Sequence, residues 1–377
     1  MNALSKVYRG DNDFNFQRSW IPLGIVSIIL VIGSILSIAV QGLDLSIDFE
    51  GGSIWEVPSK TFTTDEATTV LDTFGTNAGE KYQIATTTDG VRLVRISGRV
   101  DTIEESQKVV TALAEAANID VTDVAVTTVG PSWGQDITKS ARNSLIIFMV
   151  LVAAYIAWRL EPKMAASAIV AVFHDVIITV GFYSVFHLEI SPATVIAFLT
   201  ILGYSLYDTI VVYDRLQENG VKLTRTGQYT YNGIVRRSLN QVLMRSVNTT
   251  KVTLIPVLSM LVVGKYIFGE PTLGDFSLAL LIGLASGAYS SLAVATPLTA
   301  VLKEREPRYK EIRARMIAKG IDPNETAWHG VNVTGAPVSG STRPGVVRPT
   351  VAAGSSAPAL TTNIGGHPPR PRKKKKT

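Results

Sequence analysis

The chain has 377 residues, 46% of them hydrophobic and only 18% charged, with no cysteine and a formal net charge of +5. A usual soluble domain is about 25% charged; an apolar excess gathered in long blocks points to a bilayer protein and excludes a cytosolic globular enzyme and a wholly disordered chain. The lack of cysteine excludes disulfides, iron–sulfur clusters, thiolate zinc sites and a cysteine nucleophile.

A bilayer core about 30 Å thick is crossed by about 20 mostly apolar residues in helical form, and six runs qualify. Residues 1–19 form a cytoplasmic start and 20–41 the first crossing, a run too long for the apolar stretch of a cleaved signal. Residues 42–142 read as an extracytoplasmic domain: strand 53–57, helix 64–74 with acids in its first turn, strand 82–87, a turn at Asp89-Gly90 and strand 91–97. Helix 101–117 follows, capped by Asp101 with Glu104 three residues on, and strand 121–129 closes the set. That βαββαβ order is the ferredoxin-like pattern. Five more crossings, at 143–160, 164–186, 190–213, 249–268 and 276–302, complete a bundle spanning 143–302. A basic cytoplasmic segment occupies 303–330, and the Pro-, Gly-, Ser- and Thr-rich tail 331–377 reads as disordered. The predicted fold class is therefore a polytopic α-helical membrane protein with one small ferredoxin-like α/β domain outside.

Charge follows this map. Residues 331–377 hold eight basic and no acidic residues, while 42–142 holds eight basic against sixteen acidic. Lysine and arginine gather in the loops on the side of both termini, which makes those termini cytoplasmic. The net +5 thus reports sidedness, and no specific nucleic-acid binding is expected.

An ionisable group near the middle of a membrane helix costs about 2.5–3.5 kcal/mol on insertion scales, so each one asks for a reason. His174-Asp175 lies in the third crossing. Asp208 lies well inside the fourth, with Tyr204 four residues before it and Asp214 six after; Arg245 precedes the fifth and is followed by Asn248. Asp214, Arg215 and Arg245 suit helix ends, where charges reach water. Asp208 is too short to do so, and reads as a proton-carrying carboxylate or half of an intramembrane ion pair. His174 and Asp175 form a polar network or simply hold helices together. Ala279, Gly283, Gly287, Ser291 and Ala295 recur every four residues and make a small-residue packing face in the sixth crossing. The sequence contains no Gly-x-x-x-x-Gly-Lys-Ser/Thr loop, His-Glu-x-x-His site or Gly-x-Gly-x-x-Gly turn, so no nucleotide, metal, other cofactor or catalytic site is predicted.

Four motifs in order, Ile47-Asp48-Phe49-Glu50-Gly51-Gly52, His174-Asp175-Val176, the run from Gly203 through Asp208 to Asp214-Arg215, and Arg245-Ser246-Val247-Asn248-Thr249-Thr250, resemble the SecF type of the SecD/SecF protein-export family. That family belongs to the resistance-nodulation-division superfamily, and the resemblance covers about residues 15–304. It implies a non-enzymatic subunit that works with SecD and uses the proton-motive force to help draw preproteins across the cytoplasmic membrane. The SecYEG channel and SecA would act before it, with YajC as a further associate. It implies that Asp208 and Arg245 are proton-path partners and that Gly51-Gly52 hinges the outer domain. Tyr207 stands where the family commonly has asparagine. Two alternatives stay open: a stand-alone exporter of lipid or small amphiphiles, and a passive scaffold in which Asp208 and Arg245 form a static pair.

Overall fold

The structure, a computed structural model, describes residues 14–59, 61–74, 82–86, 92–98, 103–224 and 229–318. The tail 331–377, the Asp89-Gly90 turn and the Asp101 cap lie outside the described residues.

A long apolar helix α1 (Phe16–Gln41) leads through the short α2 (Ile47–Glu50) into a small α/β domain: β1 (Gly52–Pro58), α3 (Thr64–Thr73), β2 (Tyr82–Thr86), β3 (Arg92–Gly98), α4 (Ile103–Ala117) and β4 (Ala125–Val129). The strands pair in the order β2-β3-β1-β4, all antiparallel, with Trp55 of β1 opposite Ile96 of β3 and Val126 of β4. Strand side chains alternate between faces, which puts Trp55, Val57, Val94 and Ile96 on one face. All four are buried against Ala67 and Leu71 of α3 and Val109 and Leu113 of α4. A capping box starts α3: the Thr63 hydroxyl accepts from the Glu66 amide at 3.3 Å, and the Glu66 carboxylate accepts from the Thr63 amide at 2.9 Å. The last strand is shorter than the sequence pattern suggests, because Val121–Asp123 turns as a 3-10 helix before the chain extends. In that turn the Asp123 amide donates to the Asp120 carbonyl at 2.9 Å.

The chain returns to the membrane in α5 (Pro131–Arg159), α6 (Pro162–Val185), α7 (Pro192–Thr224) and α8 (Tyr231–Leu261), which runs on as a π turn (Val262–Ile267). Helix α9 (Pro271–Ser290) passes through a second π segment (Ser291–Ala295) into α10 (Thr296–Glu304), and α11 (Pro307–Ala318) follows. Five of these helices begin on proline. Its fixed φ suits the first helical position, where its missing N–H leaves no bond unmade.

Six helical units are long and apolar enough to cross a membrane: α1, α5, α6, α7, α8 with its π turn, and α9–α10. About half of the apolar window of α6, α7 and α9–α10 is covered by the rest of the chain, whereas α1, α5 and α8 are almost bare. The inner helices meet through small residues. Gly181 of α6 backs directly on Ser34 of α1, while Gly283 and Gly287 of α9 lie against Ile201 and Ser205 of α7. At the base of the α/β domain the Ser46 amide donates to the Ile190 carbonyl at 3.0 Å, and the Ile190 amide donates to the Asp44 carbonyl at 2.7 Å. This rung ties the entry to that domain to the α6–α7 turn.

Candidate functional site: an intramembrane carboxyl cluster

The inner helices bring two aspartates into one hydroxyl-lined region. Asp175 on α6 is wholly buried. Its Oδ2 accepts from Ser205 of α7 at 2.6 Å and Ser290 of α9 at 2.7 Å; its Oδ1 accepts from Ser286 of α9 at 2.8 Å and lies 3.2 Å from His174 Nδ1. Asp208 on α7 is 4% exposed. Ser246 of α8 donates to both of its oxygens, at 3.0 and 2.9 Å, and Ser291 of the second π segment donates to Oδ2 at 2.8 Å. Each carboxyl is thus held by hydroxyls from two other helical segments, which offsets the desolvation of a charge at this depth. Among the described residues no lysine or arginine pairs with either acid; His174 beside Asp175 is the one ion-pair partner.

The glycines of α9 make this arrangement feasible. A Cβ on Gly287 would lie 3.0 Å from the Cβ of Ser205, so the glycine lets α9 approach α7 closely enough for Ser286 and Ser290 to reach past it to Asp175 on α6. Gly283 plays the same part against Ile201, where a Cβ would come within 2.2 Å of the isoleucine side chain. Ser291 sits on the same helix but also binds Asp208, so it is part of the polar cluster as well as of the packing face.

The remaining sequence-selected residues divide. His174 is buried, its ring stacks on Tyr289 at 6.2 Å, and its Nε2 has no partner. The Tyr289 hydroxyl in turn donates to the Leu23 carbonyl of α1 at 2.7 Å. Tyr204 accepts from Thr253 of α8 at 3.1 Å, and among the described hydrogen bonds none joins it to Asp208. Asp214 is half exposed, ten residues before the end of α7, and pairs at 2.8 Å with Arg159, the last residue of α5. Asn248 makes no side-chain hydrogen bond among the described residues, and Tyr207 points outward, 53% exposed.

The structure does not bring Arg245 to Asp208. Arg245 is exposed, and its neighbour Ser246 occupies the place beside the carboxyl. Successive helix positions diverge by about 100°, so one residue of difference decides which side chain meets the acid. Gly51 and Gly52 are buried, with φ of +81° and +139°. A Cβ on Gly52 would lie 2.7 Å from the Gly98 carbonyl oxygen. The pair forms a packed corner between α2 and β1.

The residues that sequence reasoning missed are Ser205, Ser246, Ser286 and Ser290. The spacing of Ser286 and Ser290, four apart on the small-residue face of α9, was the available signal.

Comparison with known proteins gives the family. The family model described as protein export membrane protein SecD/SecF, C-terminal, matches residues 108–305. The chain is 40% identical over 316 residues to the protein translocase subunit SecF of Streptomyces coelicolor, covering 84% of this chain and 83% of that one. It is 33% identical over 328 residues to the SecF of Escherichia coli O157:H7, covering 85% and 97%. The crystal structure of SecDF from Thermus thermophilus, described as a translocon-associated membrane protein, matches with a TM-score of 0.67 and 32% identity over 78% of this chain. The chain spans 39% of that SecDF.

Proposed function

Because this chain belongs to the SecD/SecF family of protein-export membrane proteins, a multi-pass family with a role in protein translocation, we propose that it is the SecF subunit of a SecD–SecF complex. In this reading the complex uses the proton-motive force to assist late preprotein translocation through SecYEG, after SecA-driven transfer, in the bacterial cytoplasmic membrane with both termini inside. SecD is the partner this reading expects, in line with the likeness to solved SecDF and to SecF relatives. YajC is a further candidate partner.

One observation carries the proposal. Asp208 is buried in the middle of a membrane-crossing helix, and among the described residues it is held by neutral hydroxyls, with no lysine or arginine paired to it. A hydroxyl donates to a carboxylate and accepts from a carboxylic acid, so the site holds the group in either protonation state. One elementary charge crossing the membrane yields about 2.3 kcal/mol per 100 mV. Rotation of α8 by one helix position would exchange Ser246 for Arg245 beside Asp208, and this exchange is the step by which proton occupancy moves the helix. The Gly51-Gly52 corner would pass that motion to the outer domain. A static Asp208–Arg245 scaffold pair gains no support from side chains that do not meet.

The test is Asp208→Asn in proteoliposomes or inverted vesicles under an imposed proton gradient. Membrane insertion and SecD association stay intact, and the gradient-dependent part of preprotein translocation is lost. Unchanged translocation removes Asp208 from the proton path.

A further inference from the structure

Asp175 is the more deeply buried of the two acids, and the proton path above makes no use of it. The hydroxyls around the two acids differ in one respect. Among the described residues Ser205, Ser246 and Ser286 have only a carboxylate as acceptor, whereas Ser290 and Ser291 each have a second acceptor, and it is the same one. The Gly287 carbonyl lies 3.2 Å from Ser290 Oγ and 2.6 Å from Ser291 Oγ. It also takes the backbone N–H of Ser291. Of its two lone pairs, one is therefore already engaged.

A serine hydroxyl carries one hydrogen. While a carboxylate is ionised, the serine gives that hydrogen to it. When the carboxylate takes a proton from water, the new acid O–H donates to the serine oxygen, and the serine turns its own hydrogen to another acceptor. Ser290 serves Asp175 and Ser291 serves Asp208, and the second acceptor that both hydroxyls reach is the Gly287 carbonyl, with one lone pair left. Two neutral acids would set both hydroxyl hydrogens in competition for that place. Two ionised acids, with no lysine or arginine paired to either among the described residues, would repel. The adjacent serines reach different helices where α9 passes into the π segment, an irregularity often found at functional sites.

We propose that Asp175 is a second proton-exchanging carboxyl, coupled to Asp208 through Ser290, Ser291 and the Gly287 carbonyl so that one acid is neutral while the other is charged. This rests on the proton-carrying reading of Asp208 and adds an alternating partner to it. Each acid takes one proton from water and returns one; the serines and the carbonyl only reorient. The groups facing the pair are His174 from α6, Ser205 from α7, Ser246 from α8, and Ser286, Ser290 and Ser291 from α9 and its π segment. Tyr289 stands behind His174.

The experiment follows the carboxylic-acid C=O stretch by infrared spectroscopy against pH, on the full chain with its SecD partner in proteoliposomes. Asp175→Asn assigns the Asp175 band by its loss; Ser290→Ala, which keeps the carboxyl, assigns it independently by moving it. In Asp208→Asn, where position 208 is permanently neutral, Asp175 binds its proton at least about tenfold more weakly, the equivalent of one buried donor left unpaired. Adding Ser291→Ala to that variant frees the carbonyl and restores part of the binding. An Asp175 band that never titrates, or that titrates identically with and without Asp208, overturns the coupling. Loss of gradient-driven export in Asp208→Asn with an unmoved Asp175 band retains the proton path and sinks this inference alone. Normal export with a moved band does the reverse.

Discussion

Gly181→Ala tests the inner packing most directly. A Cβ at this position would stand 2.1 Å from the Cβ of Ser34 on α1 and 2.7 Å from its Cα. Carbon atoms pack at about 3.5–4.0 Å, so α1 must retreat from α6 by roughly 1.4 Å or more. Ser34 offers no flexible end to swing aside, since the clash reaches its backbone. The retreat would stretch the Ser37–Ser184 hydroxyl contact, now 2.9 Å, and the bond from Ser184 to the Gly42 carbonyl, now 2.8 Å. Overpacking costs about 1–3 kcal/mol and each intramembrane hydrogen bond about 0.6 kcal/mol, giving a loss of about 2–4 kcal/mol. Thermal unfolding of the purified protein in mild detergent reads this as a drop on the order of 5–10 °C. Gly33→Ala, on α1 itself, is the control, because a Cβ there meets nothing within 4 Å. Its effect should stay near zero or be slightly stabilising, as alanine is the better helix former. If the two variants melt within a degree or two of each other, α1 does not dock on α6 through Gly181, and the inner bundle must be drawn differently.

Other contacts make further claims. Gly52→Ala meets both a φ of +139° and the Gly98 carbonyl at 2.7 Å; strain of about 1–3 kcal/mol should appear as lost hydrogen-exchange protection along β1 and β3, and unchanged protection would show that the corner is slack. Thr63→Ala removes the capping box of α3 and should cost about 0.5–2 kcal/mol, with faster amide exchange confined to the first turn of that helix. Lys303 bridges Glu161, at the α5–α6 corner, and Glu306, which also meets Lys163 at 3.1 Å. Lys303→Ala should cost about 1–2 kcal/mol, since the pair is only partly shielded. It should also speed limited proteolysis between α10 and α11; equal cleavage rates would make the bridge ornamental.

What the sequence made legible follows from what each signal measures. Apolar runs locate lipid-facing length, and the six crossings were visible for that reason. Helix ends were less so, because backbone hydrogen bonding continues into water: α5 starts at Pro131 and α8 at Tyr231, both well before their apolar stretches. Prolines 131, 162, 192, 271 and 307 stand at five of these starts, a signal that the apolar runs did not carry. In the α/β domain the alternation of Val91 to Ile96 is imperfect, and it was the βαββαβ order of elements that made the ferredoxin-like sheet readable, the arrangement that the antiparallel β2-β3-β1-β4 pairing fits.

The site divides along the same line. A carboxylate in an apolar helix is an anomaly on its face, so Asp175 and Asp208 could be singled out by type alone. Serine is no anomaly, because its hydroxyl can return to a carbonyl one turn back on its own helix, as Ser167 does toward Lys163 and Ser259 toward Ile255. Nothing local distinguishes such a serine from Ser246 or Ser290, whose hydroxyls turn across to another helix. Only the approach of α9 to α7, permitted by Gly283 and Gly287, decides which serines find a carboxyl. Arg245 and Ser246 differ by a single position, and helix phase rather than residue type determines which of them faces Asp208. A mechanism that exchanges them must therefore turn the helix, and the irregular backbone at Pro256 and the π turn Val262–Ile267 lies on the same helix where such a turn would have to be absorbed.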